Sequence, residues 1–285
     1  MHYTNVVYGW QKMFIKIKLK TLNNLSIFYY TMSYYKFRKC DKYSFESIEN
    51  QTIYFATLHN LNDLFEGICS IREDVSKEVV DKLNRRFIYC ISEGDDSFIK
   101  NNHYMWTHYA DNFKGFCIEY NDCIFDGFQD YNTVGDTQSN VWMRVIYTDS
   151  CTDAIDNADN IEQRIGNKIC YKKRDFEREN EIRLVLHDTK EHIHSIHVKS
   201  AIKAIYLGCR ISIDDKMKLI GIATKLKIPC YQMCLANASY TLEAHRINVN
   251  YEDLCFVDPN TCQLIDVDDN TLNVSLAKVT DTQNL

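Results

Sequence analysis

Apolar and polar positions along this chain read as many short strands interspersed with a few helices. Ser33–Arg38 has strand composition and ends on a basic residue. Thr52–Ala56 and the alternating run Phe116–Tyr120 read the same way, and Phe87–Ser92 is nearly continuous apolar sequence, as expected of a strand covered on both faces. Val141–Tyr147, Asn180–Leu186, Val198–Leu207, Ile228–Leu235 and Tyr240–Val249 extend the series. Helical spacing predicts a short helix capped by Ser44 and running through Asn50, and a second over Asp74–Arg86 with Val75, Val79, Val80 and Leu83 on one face. A third carries Ile161, Ile165 and Ile169 on toward Phe176, and a fourth covers Ile213–Leu226. Tyr104–Tyr109 suits a short helix or turn leading into the strand at Phe116.

This order predicts an α+β fold of mixed, mainly antiparallel sheets flanked by helices. Residues 32–250 are read as one domain. Residues 1–31 form an N-terminal extension ahead of a second methionine, Met32, and residues 251–285, rich in Asp, Asn and Thr, a peripheral or partly mobile tail. The apolar run Leu25–Tyr30 is too short to span a bilayer, so no membrane partner is expected.

Composition narrows the function classes. The 19 Tyr and 14 Phe against only 2 Pro suit a strand-rich chain. A net charge of −6 supplies no global field for a nucleic-acid backbone, and the basic cluster Lys168, Lys172, Lys173, Arg174 and Arg178 reads as a solvated helix face. With 9 Gly and no glycine-rich loop, Rossmann and P-loop chemistry is disfavoured. The 12 cysteines are scattered without a Cys-x-x-Cys pair, which fits reduced thiols in a cytoplasmic protein. His192, His194 and His197 stand at no recognised ligand interval, so no metal cofactor is expected.

Two stretches carry candidate chemistry. His103–Tyr120 gathers Trp106, His108 and Tyr109 beside a strand end and follows them with Asp111 and Lys114-Gly115; the alternative is that these rings are core and His108 a structural histidine. In Phe176–Leu186, a strand from Asn180 would turn Glu179, Glu181 and Arg183 to one face, either as a site or as a salt-bridged ladder. Between them, Asn60–Gly67 is a loop in which Asn62 and Asp63 can bond the backbone while Leu64 and Phe65 pin it inward.

In their order, Tyr35-Lys36-Phe37-Arg38, Leu61–Glu66, Met105–Asp111 with Lys114-Gly115-Phe116, Glu179–Arg183 and Ile202–Gly208 resemble a bacterial domain-of-unknown-function family, DUF2971. The resemblance covers about residues 32–245, with Leu64 standing where that family tends to have proline and Phe176 where it tends to have tryptophan. It implies a bacterial, defence-like context more than a reaction.

A looser likeness is to ADP-ribosyltransferases, in which a basic residue on an early strand, an aromatic or hydroxyl residue on a later element and a glutamate on a strand follow one another. Here Arg38, Tyr54 or Tyr109, and Glu181 stand in that order. The likeness implies a NAD-consuming enzyme, acting as a defence or toxin effector on a protein or nucleic-acid acceptor or on water, with NAD as substrate. Cleaving the nicotinamide–ribose bond builds positive charge on the sugar, so Glu181 is the candidate to stabilise it and Glu179 to activate the acceptor. Arg38 would bind the pyrophosphate, Trp106 or Tyr109 stack on a flat ring, and His108 donate to ribose or phosphate. Asn62 and Asp63 would orient their loop, Tyr35 and Tyr54 complete the cofactor-binding set, and Arg183 either joins it or pairs with Glu179 or Glu181.

Two other readings compete. One is a metal-dependent nuclease using Asp63, Glu66, Glu119, Glu179 or Glu181 around magnesium. The other is a non-catalytic module that senses a nucleotide or binds a partner protein of a defence system.

Overall fold

The computed structural model describes residues 32–63, 77–135, 137–150, 160–187, 195–197, 200–247, 256–257 and 261–265. The expected extension 1–31, Leu64–Gly67 with Glu66, His192, His194 and most of the tail lie outside them. Among the described residues the strands, in chain order, are β1 (Ser33–Arg38), β2 (Thr52–Tyr54), β3 (Ala56–Thr57), β4 (Phe87–Gly94), β5 (Phe116–Tyr120), β6 (Gln129–Asp130), β7 (Val141–Arg144), β8 (Ile146–Thr148), β9 (Tyr171–Lys173), β10 (Glu181–Leu186), β11 (Ser195–His197), β12 (Ile202–Leu207), β13 (Cys230–Leu235), β14 (Leu242–Arg246), β15 (Phe256–Val257) and β16 (Leu264–Ile265). The α-helices are α1 (Lys42–Glu49), α2 (Lys77–Leu83), α3 (Phe98–Asn101), α4 (His103–His108), α5 (Tyr131–Val134), α6 (Ile161–Cys170) and α7 (Ile213–Leu226).

Ten strands form one mixed sheet in the order β14-β13-β12-β5-β1-β4-β10-β7-β6, with β3 added to β4. Its pairings are antiparallel except β12 with β13 and β6 with β7. The expected mainly antiparallel sheet flanked by helices is therefore what the chain builds. Side chains alternate across each strand, so the sheet carries a core on both faces. Phe45 and Ile48 of α1 and Leu219, Ile220, Ile222 and Ala223 of α7 pack with Tyr89, Ile91, Ile118 and Ile182 on one face. On the other, Met105 and Trp106 of α4 pack with Tyr35 and Phe37, and Val79 and Leu83 of α2 pack with Ile165 and Ile169 of α6 against Ile88 and Val185. Among the described residues no helix is long and apolar enough to cross a membrane, and the described cysteines are free thiols.

The central pair of strands is incomplete. β1 pairs with β4 only at Ser33, Tyr34 and Tyr35, opposite Gly94, Glu93 and Ser92, while β3 takes the far end of the same edge at Ile88 and Phe87. Among the described residues no strand residue opposes Tyr89, Cys90 and Ile91 on that edge. β1 stays paired with β5 along its length to Arg38, so it diverges from β4. The gap between them is where the site forms.

Four sequence-based expectations change. The cap of α1 is Asp41, whose side chain accepts from the Ser44 amide, and Ser44 lies within the helix. The strand expected over Thr52–Ala56 divides into β2, which pairs with β11, and β3, which pairs with β4. The strand expected over Val141–Tyr147 divides at Val145, so that β8 leaves the main sheet to pair in parallel with β9. The helix expected to run toward Phe176 ends at Cys170; Tyr171 is already extended (φ −91°, ψ 139°), and β9 and a 3-10 turn over Arg174–Glu179 follow. An apolar stripe sets a helix face but not its end when a neighbouring strand offers pairing.

Candidate functional site

A cavity of about 520 Å³ opens at the gap, within the usual range of roughly 300–1,000 Å³ for small-molecule sites. Lys36 and Arg38 line it from β1, Ser44 from α1, Tyr89, Cys90 and Ser92 from β4, and His108 and Tyr109 from the end of α4. Lys172, Glu179 and Glu181 close another side.

The acidic side depends on one backbone reversal. Asn180 is left-handed (φ 42°, ψ 55°), a conformation asparagine tolerates better than most residues. Its side-chain amide donates to the Glu93 carbonyl at 2.6 Å, and the Glu93 amide donates to the Asn180 carbonyl at 2.9 Å. The reversal turns the chain from the 3-10 segment into β10. Glu179 and Glu181 then meet one ammonium, with Lys172 Nζ 2.7 Å from Glu179 Oε2 and 2.9 Å from Glu181 Oε2. The Tyr109 hydroxyl donates to Glu179 Oε1 at 2.6 Å. Arg183 Nε donates to Glu181 Oε1 at 2.8 Å and its Nη1 to the Ile169 carbonyl at 2.6 Å.

The two carboxylates are pushed apart in proton affinity. Burial raises the Glu179 carboxyl, and Glu181 adds to this against the opposing charge of Lys172. Burial would raise Glu181 too, but the charges of Arg183 and then Lys172 outweigh it and hold that carboxyl below the ordinary range. Such a divided pair supplies one group able to carry a proton and one fixed anion.

Across the gap, Lys36 Nζ donates to the Cys90 carbonyl at 2.7 Å, satisfying a backbone acceptor in the stretch of β4 that no described strand opposes. It also lies 4.8 Å from the centre of the Tyr89 ring. Arg38 Nε donates to Ser44 Oγ at 3.0 Å. Burial lowers the affinity of the Lys36 amine for its proton.

The mouth is shaped by a strained turn. Asp111, Asn112 and Phe113 all have positive φ, of 47°, 52° and 67°, each costing on the order of 1–2 kcal/mol outside glycine. The turn is held where side chains are absent. A Cβ on Gly115 would lie 2.1 Å from the Arg38 carbonyl oxygen, and one on Gly208 would lie 2.1 Å from the Phe113 carbonyl oxygen. The turn is thereby wedged against the end of β1, and Asp111 lines the cavity.

Of the residues expected from sequence, Tyr35, Arg38, Tyr54, Asn62, His108, Tyr109, Glu179 and Glu181 all line the cavity. Trp106 does not: it is 0% exposed, donates its indole N–H to the Ile99 carbonyl at 2.8 Å, and packs edge-on against Phe37. On a six-residue helix the ring that faces the sheet becomes core, while Tyr109 at the helix end reaches the cavity. Arg183 is also fully buried, behind Glu181, as the pairing alternative expects. Asp63 is absent from the lining. Glu119 belongs to another cluster, accepting from Ser33 Oγ at 2.6 Å, from the Tyr206 hydroxyl at 2.7 Å and from Lys203, so it cannot share an ion with Glu179 and Glu181. Among the described residues no three His, Cys, Asp or Glu side chains group as metal ligands do.

Sequence reasoning missed Lys36, Ser44, Cys90, Asp111 and Lys172. The expected solvated basic face is corrected in part, since Lys168 and Lys172 are both buried. Once α6 stops at Cys170 and β9 pairs with β8, Lys172 points inward. The available signal for Lys36 was its place two residues before Arg38, which on a strand puts both on one face.

A family described as "Protein of unknown function (DUF2971)" matches residues 105–184, a stretch running from α4 through Glu179 and Glu181 into β10. Over that stretch the chain is similar to the DUF2971 family, as its motifs led us to expect. No curated protein and no solved structure matches the chain.

Proposed function

We propose that the cavity binds NAD and that the protein cleaves its nicotinamide–ribose bond, passing the ADP-ribosyl group to a macromolecular acceptor or to water. The observation that carries this reading is the divided carboxylate pair in a cavity shared with Arg38. As the C1′–N bond breaks, its electron pair leaves with nicotinamide as a neutral base, and the positive charge left on the ribose is stabilised by the Glu181 carboxylate. The acceptor attacks C1′, and Glu179 takes its proton. Arg38, with both terminal nitrogens free of protein partners among the described residues, binds the diphosphate. Tyr54 and Tyr109 offer ring faces to the bases.

The test is incubation of the protein with NAD, with and without a bacterial extract, following free nicotinamide and added ADP-ribose mass by mass spectrometry. Wild-type protein should release nicotinamide and Glu179→Gln should lose most of that release. Absence of release from the wild type, or full release by the variant, overturns the reading.

A second reading, nucleotide sensing without turnover, is favoured by one observation: both Glu181 oxygens are already engaged, by Arg183 and by Lys172. It predicts that NAD raises the melting temperature while no nicotinamide appears.

A further inference from the structure

Lys36 has no role in the chemistry just described, yet it lines the same cavity. It follows the same alternation as Arg38, two residues on, so both side chains leave β1 on the face opposite Tyr35 and Phe37. The charge of Arg38 acts on it, and so, with the opposite sign, do those of Glu181 and Glu179. Among the described residues it meets no carboxylate within 4 Å; its one protein acceptor is the neutral Cys90 carbonyl. Arg38 likewise meets no carboxylate within that distance, its Nε being spent on the neutral Ser44 hydroxyl.

Two neighbouring cations, partly withdrawn from water and with no carboxylate within 4 Å among the described residues, oppose each other unless an anion joins them. Elsewhere in the same cavity the protein does supply counter-charges: Lys172 has two carboxylates within 3 Å. The omission at Lys36 and Arg38 leaves their N–H groups for a ligand. The carboxylate pair, Lys36 and Arg38 line one cavity, and the charges of Arg38 and of both glutamates act on Lys36. A ribosyl compound held with its C1′ against the carboxylates has its 5′-oxygen available to Lys36, the cation on which both glutamates and Arg38 act.

We propose that Lys36 binds the phosphate attached to the 5′-oxygen of the ribose whose C1′ faces Glu181. The site is thus selective for 5′-phosphorylated ribosyl compounds over the corresponding nucleosides, with Arg38 taking the further phosphate of a diphosphate. The placement of the ribose rests on the proposed reaction, whereas the anion subsite itself does not. A phosphate here makes charge-assisted hydrogen bonds to Lys36 across a cavity wall that limits screening by water. Burial lowers the proton affinity of the Lys36 amine, and an arriving dianion favours its charged form.

The experiment is calorimetric titration of the full chain with inorganic pyrophosphate, and then with nicotinamide mononucleotide and nicotinamide riboside, which differ only in the 5′-phosphate. Wild-type protein should bind pyrophosphate and prefer the mononucleotide to the riboside on the order of tenfold or more. Lys36→Met should lose both properties while binding the riboside as the wild type does. Lys36→Gln retains a donor for the Cys90 carbonyl without the charge, so it should behave in the same way even if the methionine variant folds poorly. Pyrophosphate binding unchanged in folded Lys36→Gln, or a wild type indifferent to the 5′-phosphate, overturns the proposal. Lys36-dependent pyrophosphate binding by a protein that releases no nicotinamide from NAD would leave the subsite standing and remove only the reaction.

Discussion

The Tyr109 hydroxyl lies 2.6 Å from Glu179 Oε1 and donates its proton there, tying the end of α4 to the 3-10 segment before β10. Two stretches 70 residues apart in sequence thereby become one wall of the cavity. The bond acts on protonation as well as on position. It lowers the proton affinity of Glu179 against the burial that raises it.

Tyr109→Phe should therefore raise the Glu179 pKa further, since a hydrogen bond to the charged form is lost. The expected result is a rate profile for nicotinamide release whose acid limb moves to higher pH, with about 1–3 kcal/mol less stability in urea. A pH–rate profile identical to that of the wild type would show that Glu179 is not the titrating base.

Lys172→Met removes the cation shared by two buried carboxylates. Leaving a buried charge uncompensated typically costs about 3–5 kcal/mol. The raised folded-state pKa of Glu179 sets the sign of the pH dependence: stability is present below the unfolded value and lost as pH rises through the folded one. The variant's deficit should be larger at pH 8 than at pH 5, read from melting temperatures at both. An equal deficit at the two pH values would mean that Glu179 stays ionised throughout.

Glu181→Gln strands the fully buried Arg183 guanidinium, so a loss of about 3–5 kcal/mol is expected near neutral pH. Here the sign reverses. Glu181 is held below its ordinary value of 4.5, and the stability it contributes is present above that value and lost as pH falls through its folded value. The gap between wild type and variant should narrow as the pH is taken below about 4.5. Urea denaturation at pH 7 and pH 4 measures it, and a gap that widens on acidification contradicts the assignment.

Gly208→Ala places a methyl group 2.1 Å from the Phe113 carbonyl oxygen, against a turn that is already strained. Overpacking of this kind typically costs about 1–3 kcal/mol. Because the same turn carries Asp111 and abuts the end of β1, the variant should also lose affinity for pyrophosphate at Arg38 and Lys36. Calorimetry on the folded variant checks this; unaltered binding would show that the turn does not position the cations.

Much of the architecture was legible because burial imposes periodicity. Phe87–Ser92 is unbroken apolar sequence, and it became β4, covered on both faces. The two-residue spacing of Glu179, Glu181 and Arg183 anticipated a shared cluster, although an extended strand was not the cause. Glu179 precedes the strand, and the left-handed Asn180 brings it round. Lys172 was hidden for a similar reason. Its neighbours look helical, and only the competing pairing of β8 with β9 turns it inward.

The sequence by itself determined most of the strands and helices, the mainly antiparallel class, the resemblance to DUF2971 and eight of the side chains that line the cavity. These follow from local preference and from which face of an element must leave water. The tertiary structure alone decided that Trp106 and Arg183 stand behind the site, that Lys36 and Lys172 stand in it, and that β1 and β4 part to make room for it. Those outcomes turn on which strand captures which edge and where a helix yields to a strand. Such competitions are between distant segments, and no local pattern records their result.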